Sequence, residues 1–256
     1  MDSMDLSSML LPGLEGHGVA VTGGASGIGR ATAILAARSG ASVVAGDINE
    51  QALAEMEQYV KAEDLPIRCV RLDVADAVSV AGFIAAADAE HNLHGVVNAA
   101  GIARETPALD VSLEMWNHVQ AVLLTGPFLV AQGAAKIMVE RGTGGSIVNV
   151  SSAAATVGHV NLTPYTAAKA GLVGMTKALA REWGQYGIRV NCVSPGAVDT
   201  PLYWAQDTHH DDIKRLPMQR IGTPDDLALA IGFFLAGQSP WVTGQNLNVN
   251  GGALMY

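Results

Sequence analysis

The sequence predicts an α/β fold: one domain in which a doubly wound, parallel, seven-stranded sheet carries helices on both faces. Three observations predict it. Short, apolar, β-branched runs alternate with longer helical patterns from end to end, as a parallel sheet with crossover helices requires. The first run opens directly into a glycine-rich turn and then a helix pattern. No repeat, charge block or low-complexity linker interrupts the alternation, so the 256 residues resolve to one domain rather than two. The chain is 49% hydrophobic and only 15% charged. That charge is well below the roughly 25% typical of soluble domains, which points to surface covered by another subunit.

Residues 18–22, Gly-Val-Ala-Val-Thr, read as the first strand and 27–38 as the helix after the turn. Strands at 42–46, 67–72 and 95–98 alternate with helices at 50–60 and 77–90, and their β-branched content suits strands buried on both faces. A helix pattern spans 113–141, with a break expected at Gly126-Pro127 because proline removes a donor from the helix ladder. A strand at 146–150, a helix at 164–185, a strand at 189–193, a helix at 224–235 and a strand at 246–249 complete the sheet. Thr223-Pro224-Asp225-Asp226 opens the last helix with a capping hydroxyl, a proline and two acids. The aperiodic stretch 196–219 is expected to be a substrate-binding lid. Residues 1–13 are expected to be a flexible extension of the domain at 14–256.

Fifteen Lys and Arg against 24 Asp and Glu leave a net charge of −9. That lacks the basic footprint of a nucleic-acid binder and disfavours an anionic membrane surface. The apolar runs, such as 95–103, fall short of the ~20 residues of a membrane span. Asp2 and Asp5 stand where a secretory signal carries positive charge. Cys69 and Cys192 have no metal-like spacing and read as reduced, buried thiols. A cytoplasmic protein without metal is the expectation. His209-His210-Asp211-Asp212 has the residue types of a metal cluster, but adjacent histidines do not readily share one ion, and a solvated face is favoured.

The turn reads Thr22-Gly23-Gly24-Ala25-Ser26-Gly27-Ile28-Gly29. Glycines here make the turn tight, let a pyrophosphate approach the backbone and let the helix pack close to its strand. The helix N-terminus then offers unpaired N–H groups and a partial positive charge. Such a turn alone also serves as a plain connection; its strand–turn–helix placement is what points to a dinucleotide. Asp47 closes the second strand about twenty residues on, where a carboxylate accepts both adenosine ribose hydroxyls and repels a 2′-phosphate, favouring NAD over NADP. Ser26 sits where an arginine would have held that phosphate, although Arg30 and Arg38 lie near. The plainer alternative for Asp47 is a solvated residue opening a turn.

After the fifth strand come Ser151 and Ser152, then Tyr165 and Lys169. Spacing of i and i+4 puts phenol and ammonium on one helix face. Oxidation of an alcohol must remove its hydroxyl proton, and a phenol with an ordinary pKa near 10 needs a nearby cation to serve as base at neutral pH. Lys169 would supply that cation, and Ser152 would donate to the substrate oxygen. A Tyr-x-x-x-Lys spacing is weak by itself; its place after a Ser-ended strand gives it weight.

Together these residues resemble the short-chain dehydrogenase/reductase family, over about 14–252. The motifs are the turn at 22–29, Asp73-Val74, Asn98-Ala99-Ala100-Gly101, Ser152, Tyr165-x-x-x-Lys169, Ser194-Pro195-Gly196 with Thr200, and the run 242–252. The resemblance implies a Rossmann-type sheet of order 3-2-1-4-5-6-7, a homotetramer of paired helices and C-terminal strands, and an NAD-dependent secondary-alcohol dehydrogenase with Ser152, Tyr165 and Lys169 catalytic. It places NAD on Gly23, Ser26, Gly27, Ile28, Gly29, Asp47 and Ile48, with Asp73 and Val74 at the adenine. Asn98, Ala99, Ala100, Tyr165, Lys169, Pro195, Gly196, Val198 and Thr200 complete the cofactor set, Thr200 near the carboxamide or pyrophosphate.

One position departs. Similar family members carry an Asn seven residues after the helix tryptophan, where it holds a water behind the Lys; here Trp116 and Gly126 keep the register and the residue is Leu123. A leucine holds neither water nor a bulged helix backbone, and Gln120 lies one turn earlier. Activity through Ser152, Tyr165 and Lys169 is expected to persist. Ala168, where Ser is common, is expected to matter little.

The candidate substrate walls, Ala103, Ala153, His159, Leu162, Tyr203 and Trp204, are mostly apolar. They suit a neutral, bulky or cyclic, terpenoid- or steroid-like secondary alcohol or its ketone. His159 reads more readily as a loop hydrogen-bonder than a catalyst. A 3-oxoacyl thioester reductase of the same fold is the alternative, with Asp47 and the acidic balance against it. A catalytically impaired NAD sensor is the other, with Leu123 as its evidence.

Overall fold

In the computed structural model, residues 10–90, 92–206 and 216–255 are described. His209, His210, Asp211, Asp212 and the rest of 207–215 within the expected lid lie outside them. The strands are β1 (Gly18–Thr22), β2 (Ser42–Asp47), β3 (Ile67–Arg71), β4 (Leu93–Asn98), β5 (Gly145–Val150), β6 (Ile188–Pro195) and β7 (Asn246–Val249). They pair in parallel in the order β3-β2-β1-β4-β5-β6-β7, as the resemblance implied.

Each inner strand feeds two cores, because successive side chains leave opposite faces of a sheet. Val19 and Val21 of β1 join one core and Ala20 the other; Val148 and Val150 of β5 face the first and Ile147 the second. The first core is covered by α1 (Gly27–Arg38), α2 (Glu50–Ala62) and a C-terminal helix, Pro224–Leu235. The second lies under α3 (Ala77–Glu90), α4 (Leu113–Gln120), α5 (Gly126–Arg141) and α7 (Thr163–Trp183). The short α6 (Ala154–Val157) and α8 (Pro201–Trp204) rim the site; Pro224–Leu235 is α9. Its start is a capping box in which Thr223 and Asp226 satisfy each other's backbone, with Arg220 on the Asp226 carboxylate at 2.6 and 2.9 Å.

The break expected at Gly126-Pro127 does not occur. One wide π turn, Ala121–Thr125, joins α4 to α5 in a continuous rod. Pro127 has no N–H for the Leu123 carbonyl, and a turn of i→i+5 bonds absorbs that defect. The bulge therefore persists without the Asn, contrary to expectation. Gly126 lets the rod pass Val74, whose carbonyl oxygen would stand 2.6 Å from a Cβ there.

The helical run Leu113–Arg141 is long and apolar enough, by length and composition, to cross a membrane, which corrects the sequence estimate. Half of its most apolar window is buried inside the fold.

The end of the N-terminal segment is held. The Leu11 side chain is buried, its N–H donates to Ser39 Oγ at 2.9 Å, and a Cβ at Gly232 of α9 would overlap it. Both cysteines are free thiols; Cys192 is buried, but Cys69 is only half-buried, which corrects the reading of both as buried.

Candidate active site

Strand order reverses between β1 and β4, which remain parallel, and the crevice beyond their C-terminal ends is where open α/β sheets take ligands. Two adjoining cavities occupy it, of about 250 and 360 Å³, sharing Ile28, Ala99 and Thr200.

The smaller is built by glycine. Gly23 has φ +65, and a Cβ on it would come within 2.8 Å of the Ala100 backbone; one on Gly29 would overlap the Gly23 carbonyl. Thr22 Oγ1 accepts from the N–H groups of Ala99 and Ala100 at 3.2 and 3.1 Å, fastening the exit of β4 to that of β1. Ser26 is extended, makes no side-chain cap bond, and the first turn of α1 has no acid, so its positive end stays open to an anion. Gly23, Ser26, Gly27, Ile28 and Gly29 line this cleft, with Asp47 and Ile48, Asp73 and Val74, Ala99 and Ala100, and Thr200.

The Asp47 carboxylate accepts from Ala25 N–H at 3.2 Å and Asn49 N–H at 3.0 Å. It is thereby oriented at the cleft, with acceptor capacity left over. The donor-rich helix end, the cradle closed to any Cβ and the fixed carboxylate fit a nicotinamide dinucleotide. Sequence reasoning missed Ile102, His118, Val122 and Leu202, which also line the cleft; only His118 carries a chemical signal, and its distance from the other motifs hides it.

Asn98 does not line either cavity. Its side chain is buried, donating to Pro127 O at 3.2 Å and to Asn149 Oδ1 at 2.9 Å; Asn149 in turn donates to Thr176 Oγ1 at 2.9 Å. This ladder ties β4, β5 and α7 together beneath the floor of the site.

The larger cavity contains Ser152, Tyr165 and Lys169, together with Pro195, Gly196 and Val198. Ser152 Oγ accepts from Ala154 N–H at 3.1 Å, which fixes it at the start of α6. Lys169 is buried, and its Nζ donates to Val150 O at 2.6 Å, 5.7 Å from the centre of the Tyr165 ring. Burial lowers the Lys169 pKa to about 8. Burial also raises the Tyr165 phenol above its ordinary value, and a Ser152 hydrogen bond offsets part of that. The expected lowering of the phenol by the ammonium is therefore not what the structure shows. Lys169 is turned onto a carbonyl, and desolvation dominates both groups.

Of the expected substrate walls, Ala153, His159, Leu162 and Tyr203 line this cavity. Ala103 and Trp204 do not. Trp204 is 54% exposed, with its indole N–H on Asp199 at 2.6 Å and its ring edge-on to Tyr203. His159 Nδ1 lies 2.9 Å from Val160 O, a loop bond. Val157, Gln206, Leu216 and Ala253 also line it; Gln206 and Leu216 fall in the stretch expected to be the lid, and Ala253 directly follows the run 242–252. Leu123 is fully buried, and its Cδ2 would stand 3.7 Å from a Cβ on Gly101. Among the described residues no group of three or more His, Cys, Asp or Glu forms a metal site.

A family model described as enoyl-(acyl carrier protein) reductase matches residues 23–253. The chain is 40% identical to the D-threitol dehydrogenase of Mycolicibacterium smegmatis over 243 residues, covering 93% of each chain. It is 37% identical to the (3R)-3-hydroxyacyl-CoA dehydrogenase of Canis lupus familiaris over 246 residues, 92% of this chain and 95% of that one. A crystal structure of a short-chain type dehydrogenase/reductase from Mycobacterium marinum superposes with a TM-score of 0.91 at 30% identity, covering 96% of this chain and 98% of that one.

Proposed function

Since the chain belongs to the short-chain dehydrogenase/reductase family and is an oxidoreductase of C–OH and C=O groups with a nicotinamide cofactor, we propose that it uses NAD to interconvert a 3-hydroxyacyl thioester and its 3-oxo form. The observation that carries the chemistry is the meeting of Ser152, Tyr165 and Lys169 in one cavity beside the glycine cradle. Asp47 carries the choice of NAD: a carboxylate held by two backbone donors at the ribose end repels a 2′-phosphate.

A nicotinamide dinucleotide held at Gly23, Ser26, Gly27, Gly29 and Asp47 would supply the hydride acceptor for oxidation and the donor for reduction. Ser152 donates to the substrate oxygen and stabilises its developing charge. Tyr165 takes the hydroxyl proton in oxidation as the phenolate and gives it back in reduction as the phenol, the form that burial favours. Lys169, buried beside the phenol, is the group from which the pair first loses a proton as pH rises.

The thioester is supported by the relative that acts on 3-hydroxyacyl-CoA and by the acyl-carrier description of the matching family model. The relative named for 3-hydroxyacyl-CoA favours coenzyme A as the thioester arm. A neutral, bulky or cyclic secondary alcohol is the second reading, favoured by the apolar walls Val157, Leu162, Leu202 and Leu216. A homotetramer of cytoplasmic location accompanies either reading. Turnover of 3-hydroxybutyryl-CoA, cyclohexanol derivatives and threitol with NAD and NADP tests both. Activity confined to free alcohols sinks the thioester, and preference for NADP sinks the cofactor assignment.

A further inference from the structure

We propose that Gln120 is a positioning residue for the reactive helix: its side-chain amide holds the carbonyl immediately before Tyr165 and so sets where the phenol sits. This rests on the reading of Tyr165 as the proton-transfer group.

Gln120 is the last residue of α4 before the wide turn, and its Nε2 donates to Pro164 O at 2.9 Å. Pro164 lies in the first turn of α7, and its carbonyl belongs to the peptide unit whose nitrogen is that of Tyr165. In a helix that carbonyl already takes the N–H four residues on. A carbonyl oxygen has a second lone pair, and Gln120 fills it.

The start of α7 needs such a hold. Its N-cap is Leu162, which makes no side-chain cap bond, and the proline brings no N–H of its own. The preceding loop is tied by Thr106 N–H to Asn161 O at 2.8 Å, which fixes the approach but not the peptide at Tyr165. One turn past Gln120, Leu123 is buried and has no polar group to offer. The wide turn keeps Gln120 at α7 while α5 continues beneath Val74. The amide orientation follows from its partner, since a carbonyl accepts only from the nitrogen end.

Three variants test this: Gln120→Leu, which keeps bulk without the donor; Gln120→Glu, which donates to the carbonyl only when protonated; and Gln185→Leu, which removes another glutamine-to-backbone bond, 3.0 Å to Glu182 O, away from the site. Two readouts are taken, kcat against KM for the cofactor and the 13Cζ titration of labelled tyrosine, with Tyr165 assigned by Tyr165→Phe. In Gln120→Leu we expect kcat to fall about three- to tenfold, the worth of one hydrogen bond, with KM for NAD within about twofold. The Tyr165 resonance and its titration shift while the other tyrosines stay, and Gln185→Leu changes neither readout. In Gln120→Glu, reductive turnover relative to wild type recovers as the pH is lowered toward about 5, where the carboxyl begins to protonate. An unmoved Tyr165 resonance in Gln120→Leu, or a shift of all tyrosines together, overturns the proposal. Should the wild type turn over no alcohol, the functional reading fails and the tyrosine titration still decides this one.

Discussion

Lys169 Nζ donates to the carbonyl of Val150 at 2.6 Å, so the buried ammonium of α7 is bound to the end of β5. Burial outweighs that bond and brings its pKa down to about 8. With alcohol and NAD saturating, oxidation should climb with pH and go on climbing above about 8, because burial keeps the Tyr165 phenol protonated there, while reduction runs in the opposite sense. A rate flat from pH 6 to 10 would contradict this. The folded pKa lies below the ordinary lysine value, so the folded state binds fewer protons than the unfolded chain between about 8 and 10.5. Stability from this group is therefore present above that window and lost as pH falls across it.

Replacing Tyr165 with Phe removes the proton carrier and leaves the cleft intact. Turnover should drop by about 10²–10⁴, with NAD affinity, measured by fluorescence quenching, within a few-fold of wild type.

Asp47→Ser tests the cofactor choice. Loss of a charge-assisted pair of ribose contacts should weaken NAD by roughly ten- to a hundredfold and bring the NAD:NADP ratio of kcat/KM toward unity. That ratio is the quantity to measure, because Asp47 also holds Ala25 and Asn49, and any loss of folded protein cancels in it.

Gly29→Ala places a methyl on the Gly23 carbonyl. The turn must open, so NAD binding should be lost in titration calorimetry even if circular dichroism shows a folded chain.

His94 stacks on His17 at 4.2 Å between ring centres, and burial first, then His17 and Arg189, lowers its pKa to about 4. Its folded pKa is depressed, so its contribution to stability is full above about 6.5 and is lost as pH falls toward 4. The Tm of wild type should fall across that window more steeply than that of His94→Asn.

The dinucleotide cradle was legible because its requirements are local. A positive φ at Gly23, a helix beginning at Gly27 and a carboxylate closing β2 are properties of short segments. Tyr165 and Lys169 were legible for the same reason, since i and i+4 share a helix face. Asn98 stands off the cleft that its motif neighbours Ala99, Ala100 and Gly101 line, because its own side chain turns to Asn149 across the sheet. Ala103 and Trp204 follow the Asn98–Gly101 and Pro195-Gly196 motifs but do not line the cavity, because nearness to a motif in sequence does not fix which way a side chain faces. The break at Gly126-Pro127 was wrong because a π turn is an alternative way to lose one donor.

By itself the sequence determined the alternation of strands and helices, the glycine-rich turn and the i, i+4 spacing of Tyr165 and Lys169, since backbone sterics and side-chain period act within a few residues. Only the tertiary structure decided that Lys169 rests on Val150, that Gln120 reaches Pro164 and that Leu216 and Ala253 close the substrate cavity. Those contacts join segments far apart in the chain, and their burial, which sets the protonation of the site, exists only once the two cores have packed.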